Sequence, residues 1–270
     1  MKRVSLPEAL SAAVLAAGGV GMLMRSNLGS TKVINDESQH DIKLELDVRS
    51  QKLIEKTLSK AFPEIPVLGE EGTTGDIQSA YRWVVDPIDG TVNFTYGLPH
   101  CCTSIALQRR IPSKKTPKYP DAAYETVVGV VYDPFCNDLW TAIKGKPAYL
   151  NGERIRVSKR AKLDESIIAM GFAKYTETLN RMLPVFNRLV PKVRKIRIMG
   201  AAALSMTYVS CGRMDAYKEY GVRLWDIAAG GLIIECAGGE FWHRPVDGDH
   251  AYEICVSNGL LRRQIERVGG

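Results

Sequence analysis

The run Asp86-Pro87-Ile88-Asp89-Gly90-Thr91 places two aspartates three positions apart, with a proline between them and a glycine and threonine after. Pro87 restricts the backbone between the two carboxylates, which lets them converge on one divalent cation. Gly90 and Thr91 add backbone N–H groups and a hydroxyl suited to an anion. A cation site beside an anion site points to a phosphate ester. Further carboxylates stand at the ends of expected strands or the starts of expected helices: Glu70 with Glu71, Asp226 after Trp225, and Asp47. Hard oxygen ligands drawn from several loops suit Mg2+, which keeps waters for the substrate. Two such ions clamp the attacking and leaving oxygens of an in-line displacement and acidify the attacking water.

Other chemistries lack their residues. There is no GxSxG or HExxH run, and His40, His100, His243 and His250 share no ligand spacing. Gly69-Glu70-Glu71-Gly72 lacks the ending of a phosphate-binding P-loop. Six cysteines, mostly inside apolar runs and without a CxxC spacing, read as reduced core residues of a cytoplasmic protein. The formal charge of +6 is spread along 270 residues. Its densest patch, Arg109 to Lys118, reads as a solvated loop because no aromatics interleave the charges. Neither a nucleic-acid nor a membrane partner is expected.

The elements that must position these groups follow from periodicity. Residues Ala9 to Met24 read as a core helix with Leu10, Val14, Leu15, Val20 and Leu23 on its buried face, too short to span a bilayer. A strand from Ile42 to Asp47 runs into a helix ended by Pro63 and Pro66. The apolar run Tyr81 to Val85 is a buried strand that delivers Asp86. Strands over 102–107, 126–132 and 138–142 have meander spacing, which implies antiparallel pairing. From Ser166 strands and helices alternate, with helices over 176–189, 201–210, 226–236 and 260–268. The composite is an α/β fold in two parts, an α+β half over 1–145 with most metal ligands and an α/β half over 146–270 supplying Asp226 and substrate contacts.

Four blocks resemble the inositol monophosphatase family within the wider group of lithium-sensitive, magnesium-dependent phosphatases. They are Gly69 to Gly72, Trp83 to Phe94, Gly200 to Ala203, and Trp225 to Gly230, with a hairpin-like Gly145 to Gly152 between them. The resemblance implies a layered α-β-α-β-α sandwich with mixed sheets and a homodimer. It also implies that Glu70, Asp86 and the Ile88 carbonyl hold a first Mg2+, and that Asp86, Asp89 and Asp226 hold a second. Glu70, Thr91 and Asp47 would serve catalysis, Thr91 paired with Asp47 to orient the nucleophilic water. Gly90 and Thr91 would hold the phosphate through their N–H groups, with Ala202, Glu219 and Arg223 reading the rest of a small polyol or sugar phosphate. Inositol monophosphate is the default substrate. Histidinol phosphate, fructose bisphosphate and phosphoadenosine phosphate are the alternatives, as is a catalytically silent regulatory homologue.

Some residues keep two readings. Glu71 is equally a neighbour of the ligands or a solvent-facing residue. Glu219 is a substrate contact or a surface partner of Lys218 or Arg223. Asp226 serves a helix N-terminus as well as a metal. The chain departs from the family at Asn35 to His40 and Leu44 to Asp47, where members carry a lysine and a Thr-x-Thr-Asp-like pattern. That change alters the loop expected to close over a third metal. Lys43 is a candidate replacement charge, and residues 171–175 are expected to shape the substrate end.

Overall fold

The computed structural model describes residues 4–31, 34–37, 42–112, 118–172 and 176–269, with the backbone alone at 35–37, 42 and 43. Most of the departing 35–43 segment, Lys43, the centre of the 109–118 patch and residues 173–175 therefore lie outside the described side chains.

The first helix, α1 (Leu6–Asn27), starts at Ser5, whose side chain accepts the Glu8 N–H, and has Pro7 in its first turn. Its buried face is made of small residues: Ala9, Ala13, Ala16 and Ala17, then Val20, Gly21 and Met24. Leu15, expected inside, is 70% exposed. Close approach to the sheet explains the preference, because a Cβ on Gly21 would stand 2.4 Å from the Tyr132 ring. At 22 residues α1 is longer than its uncharged run suggested, and is long and apolar enough to cross a membrane by length and composition. Its alanine face is part of the core packed on the first sheet.

The hairpin β1 (Ile34–Glu37) and β2 (Ile42–Leu44) leads into α2 (Glu45–Ala61). Then come β3 (Val67–Gly69), β4 (Gly72–Thr74), β5 (Tyr81–Asp89), the single turn α3 (Thr91–Thr95) and β6 (Cys102–Arg110). The strands β7 (Tyr124–Asp133), β8 (Asp138–Ile143), β9 (Tyr149–Leu150) and β10 (Glu153–Arg154) complete an eight-stranded sheet of order β10-β9-β8-β7-β6-β5-β3-β4. Pairing from β5 through β10 is antiparallel, as the meander spacing implies, and only β3 beside β5 is parallel.

The chain continues through β11 (Ile167–Met170), α4 (Thr176–Leu189), β12 (Lys195–Arg197), α5 (Ala202–Ser210) and β13 (Ala216–Arg223). It ends with α6 (Leu224–Cys236), β14 (Glu240–Pro245), β15 (Ala251–Ser257) and α7 (Arg262–Gly269). The second sheet has the order β12-β11-β13-β15-β14, with β11 parallel to both neighbours and the rest antiparallel. Strand β14 has no counterpart in the sequence reading.

Helices α1 and α2 cover one face of the large sheet, α5 and α6 lie between the sheets, and α4 and α7 cover the outer face of the small sheet. The fold is thus the layered α-β-α-β-α sandwich with mixed sheets. The central layer is apolar all round, as a helix buried between two sheets must be: Ile227, Leu232, Ile233 and Ile234 are all buried on α6. Contact is close where glycine allows it. A Cβ on Gly129 of β7 would meet the Ala229 carbonyl oxygen of α6 at 2.8 Å. Backbone on both sides cannot yield cheaply, so Gly129→Ala is expected to cost about 1–3 kcal/mol. Chemical denaturation of the two proteins measures that difference.

Candidate active site

An ideal strand would send residues three apart to opposite faces. β5 avoids this with a bulge. Asp86 pairs with Ser104 and Asp89 with Cys102, so two residues of β5 oppose the single Thr103 of β6. Pro87, which has no N–H to give the ladder, sits in the bulge, and its carbonyl accepts the Thr103 hydroxyl at 2.9 Å. Asp86 and Asp89 are thereby turned to one side, both buried. Gly90 follows at φ +92°, a left-handed turn in which a Cβ would meet the His100 carbonyl oxygen at 3.0 Å.

Three of the carboxylates sit at helix N-termini. Asp89 accepts the Ala202 N–H at 3.0 Å and the Ala203 N–H at 2.8 Å, at the start of α5. Asp226 accepts the Arg223 N–H at 2.8 Å at the start of α6. Asp47 accepts the Leu44 N–H at 2.9 Å at the start of α2. Each carboxylate satisfies backbone donors that a helix leaves open, and the helix dipoles favour its charge. Asn93 of α3 links the two sides of the site, donating to the His100 carbonyl and to the Met199 carbonyl, each at 2.8 Å.

Glu70 enters from the end of β3, where its N–H donates to the Val85 carbonyl at 3.2 Å. Its carboxyl and that of Asp226 both lie within hydrogen-bonding reach of Asp86. Burial, then the Asp226, Asp47 and Glu71 charges, push Glu70 well up. Burial with the Glu70, Asp89 and Asp226 charges does the same to Asp86. Burial raises Asp89 to about 6 against its backbone hydrogen bonds. Burial and the Asp89 charge raise Asp226 to about 7.

Such a cluster holds protons unless a cation replaces them. Asp86 Oδ1 is buried with no hydrogen-bond partner, an oxygen that only a cation or proton would satisfy. Among the described residues no three acidic, cysteine or histidine side chains are already set around one point as ligands. The all-oxygen donor set nevertheless fits a hard divalent ion.

Other expected site residues are placed as follows. The Thr91 hydroxyl donates to the Ile88 carbonyl at 2.9 Å, so its proton is directed there and not at Asp47. The Ala202 N–H is engaged by Asp89. Arg223 reaches away to the Asp249 carbonyl. Glu219 is no surface partner of Lys218 or Arg223: Lys218 pairs with Glu253 at 3.0 Å, and Glu219 takes the Tyr217 hydroxyl instead. Burial first, then the Asp226 and Asp89 charges, raise Glu219 to about 8 in spite of that hydrogen bond. Glu71 gives its N–H to Gln51 at 2.9 Å.

Tyr217 and Cys102 join the site beyond the residues expected there, and Gly171 comes from the 171–175 segment expected to shape its substrate end. Tyr217 lies two residues before Glu219 on the same strand, so strand periodicity alone places both on one face. Gly171 makes room for Glu219, since a Cβ there would overlap the carboxylate at 1.7 Å. Cys102 points its thiol at Asp89, with Sγ 3.5 Å from Oδ2. Only the tertiary structure brings the last two to the site.

Comparison with known proteins agrees with the architecture. A model of the inositol monophosphatase family matches residues 5–254. Inositol monophosphatase 1 of Solanum lycopersicum is 37% identical over 243 residues, 87% of this chain and 84% of that protein. Nus factor SuhB of Pasteurella multocida is 38% identical over 234 residues, 86% of this chain and 81% of that one. Among solved structures, inositol monophosphatase from Anabaena superposes with a TM-score of 0.82 at 28% identity, covering 98% of this chain and 96% of that one. The extragenic suppressor protein suhB from Bartonella henselae gives a TM-score of 0.85 at 30% identity, with 97% and 98% covered. With the family model spanning nearly its whole length, the chain belongs to the inositol monophosphatase family.

Proposed function

We propose that the chain is a Mg2+-dependent phosphomonoesterase acting on a small polyol or sugar phosphate, with inositol monophosphate as the first substrate to test. The observation that carries this reading is the buried Asp86 carboxyl, with Oδ1 unpartnered and the charges of Glu70, Asp89 and Asp226, brought from the end of β3, from β5 and from the start of α6, all acting on it. Glu70, Asp86 and the Ile88 carbonyl would hold one ion, and Asp86, Asp89 and Asp226 the other. When bound, the ions neutralise the phosphate and lower the pKa of an attacking water. Gly90 and Thr91 would offer their N–H groups to the phosphate, and Asp47 with Thr91, its hydroxyl released from the Ile88 carbonyl, would orient the water. Lithium sensitivity belongs to the same reading.

Glu219 would accept substrate hydroxyls, held in position by Tyr217 and by the space over Gly171. Glu219→Gln is expected to raise KM for inositol monophosphate about 10-fold or more, while hydrolysis of an aryl phosphate changes far less. Equal losses on both substrates would remove Glu219 from substrate reading. A panel of inositol monophosphate, histidinol phosphate, fructose bisphosphate and phosphoadenosine phosphate at fixed magnesium tests the substrate class. Preference for the nucleotide would overturn the polyol reading.

Exposed Tyr96, Leu98 and Ile198 beside the site support a homodimer face. Six free cysteines support a cytoplasmic location. A second reading rests on the relatives named Nus factor SuhB, a name that points to a binding role beside or instead of catalysis. A partner interaction that survives Asp89→Asn, in a protein without turnover on the panel, would favour it.

A further inference from the structure

Among the described residues the central layer holds α5 and α6 between the two sheets, and no third helix of them fills the space beyond α6. A cavity of about 330 Å³ occupies it. Because α6 keeps the sheets about one helix diameter apart, roughly 10–12 Å, the cavity cannot close by side-chain settling. Its floor is one stripe of α6, Leu224, Ile227, Ala228 and Leu232, with Glu235 at the rim. One wall is Gln108 and Thr126 of the large sheet, the other is Phe241, His243 and Tyr252 of the small one. Asp121 of the connector before β7 and Tyr124, the first residue of β7, close the end. Gln108 lies four residues along β6 from Ser104, the pairing partner of Asp86, so about 13 Å of strand separates it from the carboxylates, while Leu224 at the near end of the floor stands two residues before Asp226.

The chemistry of this slot differs from that of the rest of the surface. Phe241 and His243, two apart on β14, stack at 4.5 Å and 16°, and Tyr252 lies 5.9 Å from the His243 ring. Burial lowers the His243 pKa although the Glu235 carboxylate is near, so the aromatic wall carries no positive charge at neutral pH. The lining contains three carboxylates, Asp121, Glu125 and Glu235, against the single ammonium of Lys144. Asp121 is answered by Arg82 at 2.8 Å and by His250 at 2.7 Å, and Glu125 by Lys144 at 2.7 Å and by Arg109. Glu235 has no ion-pair partner among the described residues. The recess is therefore aromatic, with the Glu235 carboxylate as its one unanswered charge among the described residues.

We propose that this slot is a second small-molecule site, separate from the carboxylate cluster, that binds a planar organic cation. The aromatic faces receive the ring by stacking and cation–π attraction, and Glu235 at the rim meets the positive group. Gln108 and Thr126 offer polar edges on the opposite wall. A phosphate ester suits the slot less, since its charge would meet the unpaired Glu235 carboxylate.

The test uses the full-length protein in saturating magnesium and three isosteric probes: benzamidinium, benzamide and benzoate. Titration calorimetry is expected to show saturable binding of benzamidinium, at least about 10-fold tighter than benzamide, and no binding of benzoate. Glu235→Gln is expected to weaken benzamidinium about 3-fold or more, and Thr126→Trp, which fills the slot, to abolish it. If Thr126→Trp fails to fold, the Glu235 variant at the exposed rim still decides. Equal affinity for the three probes, binding unchanged in Glu235→Gln, or displacement of benzamidinium by inorganic phosphate would each overturn the proposal. None of these readouts depends on phosphatase activity.

Discussion

Asp86→Asn is expected to lower phosphate-ester turnover by about 10³-fold or more, and to raise the melting temperature of the metal-stripped protein. Both effects have one cause. Asp86 stands among Glu70, Asp89 and Asp226; burial pushes all four carboxyls up, and neighbouring carboxylate charges add to it at Glu70, Asp86 and Asp226. Without a cation the carboxyls must either repel one another or take up protons, at a cost on the order of a few kcal/mol. An amide at position 86 removes one charge and offers N–H donors to its neighbours, so the stripped protein gains several degrees. With magnesium the order reverses, because the variant has lost a ligand and gains less from the ion. Calorimetry with and without chelator, beside a phosphate-release assay, measures both. Activity within 10-fold of wild type, or a lower melting temperature in chelator, would contradict the cluster's assignment.

Arg82→Met is expected to cost about 3–5 kcal/mol of stability, because it strands a buried charge. The Arg82 side chain is fully buried; it donates to Gln108 at 2.9 and 2.8 Å, pairs with Asp121 at 2.8 Å and lies 4.0 Å over the Tyr124 ring. His250 Nδ1 closes the group, 2.7 Å from the other Asp121 oxygen. Urea unfolding measures the loss, and a change below about 1 kcal/mol would mean that Asp121 is neutralised some other way.

The same pair sets a pH dependence. The Asp121 hydrogen bond raises the His250 pKa against burial. Burial pushes Asp121 up, but hydrogen bonds from His250 and Arg82 and their charges outweigh it and hold the carboxyl below its usual range. The His250 contribution is therefore complete below its unfolded value of about 6.5 and fades as pH rises through the raised folded value. The Asp121 contribution is complete above its unfolded value of about 3.9 and fades as pH falls through the lowered one. His250→Gln should show its largest stability deficit between about pH 4 and 6.5, narrowing toward pH 9. A deficit constant over that range would separate His250 from Asp121.

Much of this arrangement was legible in the chain itself, where chemistry is written in short runs. Asp86, Pro87 and Asp89 announce a bend that gathers carboxylates, and the bulge in β5 is the physical form of that bend. The alternation of strands and helices after Ser166 was readable for the same reason. Contacts that depend on how closely layers approach were not. Helical spacing puts Leu15 on the buried face, yet the alanine face of α1 is the one buried, because Gly21 and Tyr132 demand a short distance. Strand β14, Glu-Phe-Trp-His-Arg-Pro, reads as polar and proline-ended, and is a strand because β15 offers an edge. Gly171 carries no local mark of its role, which exists only because Glu219 arrives from another strand. The slot beside α6 is likewise a property of layer spacing.

The most direct test of the central claim is phosphate release from inositol monophosphate by chelator-treated protein as magnesium is added back. The account predicts no turnover without the ion, saturable activation as it is restored, and loss of that activation in Asp86→Asn. Release of phosphate at the same rate with and without magnesium, or equal activation of the Asp86 variant, would contradict it.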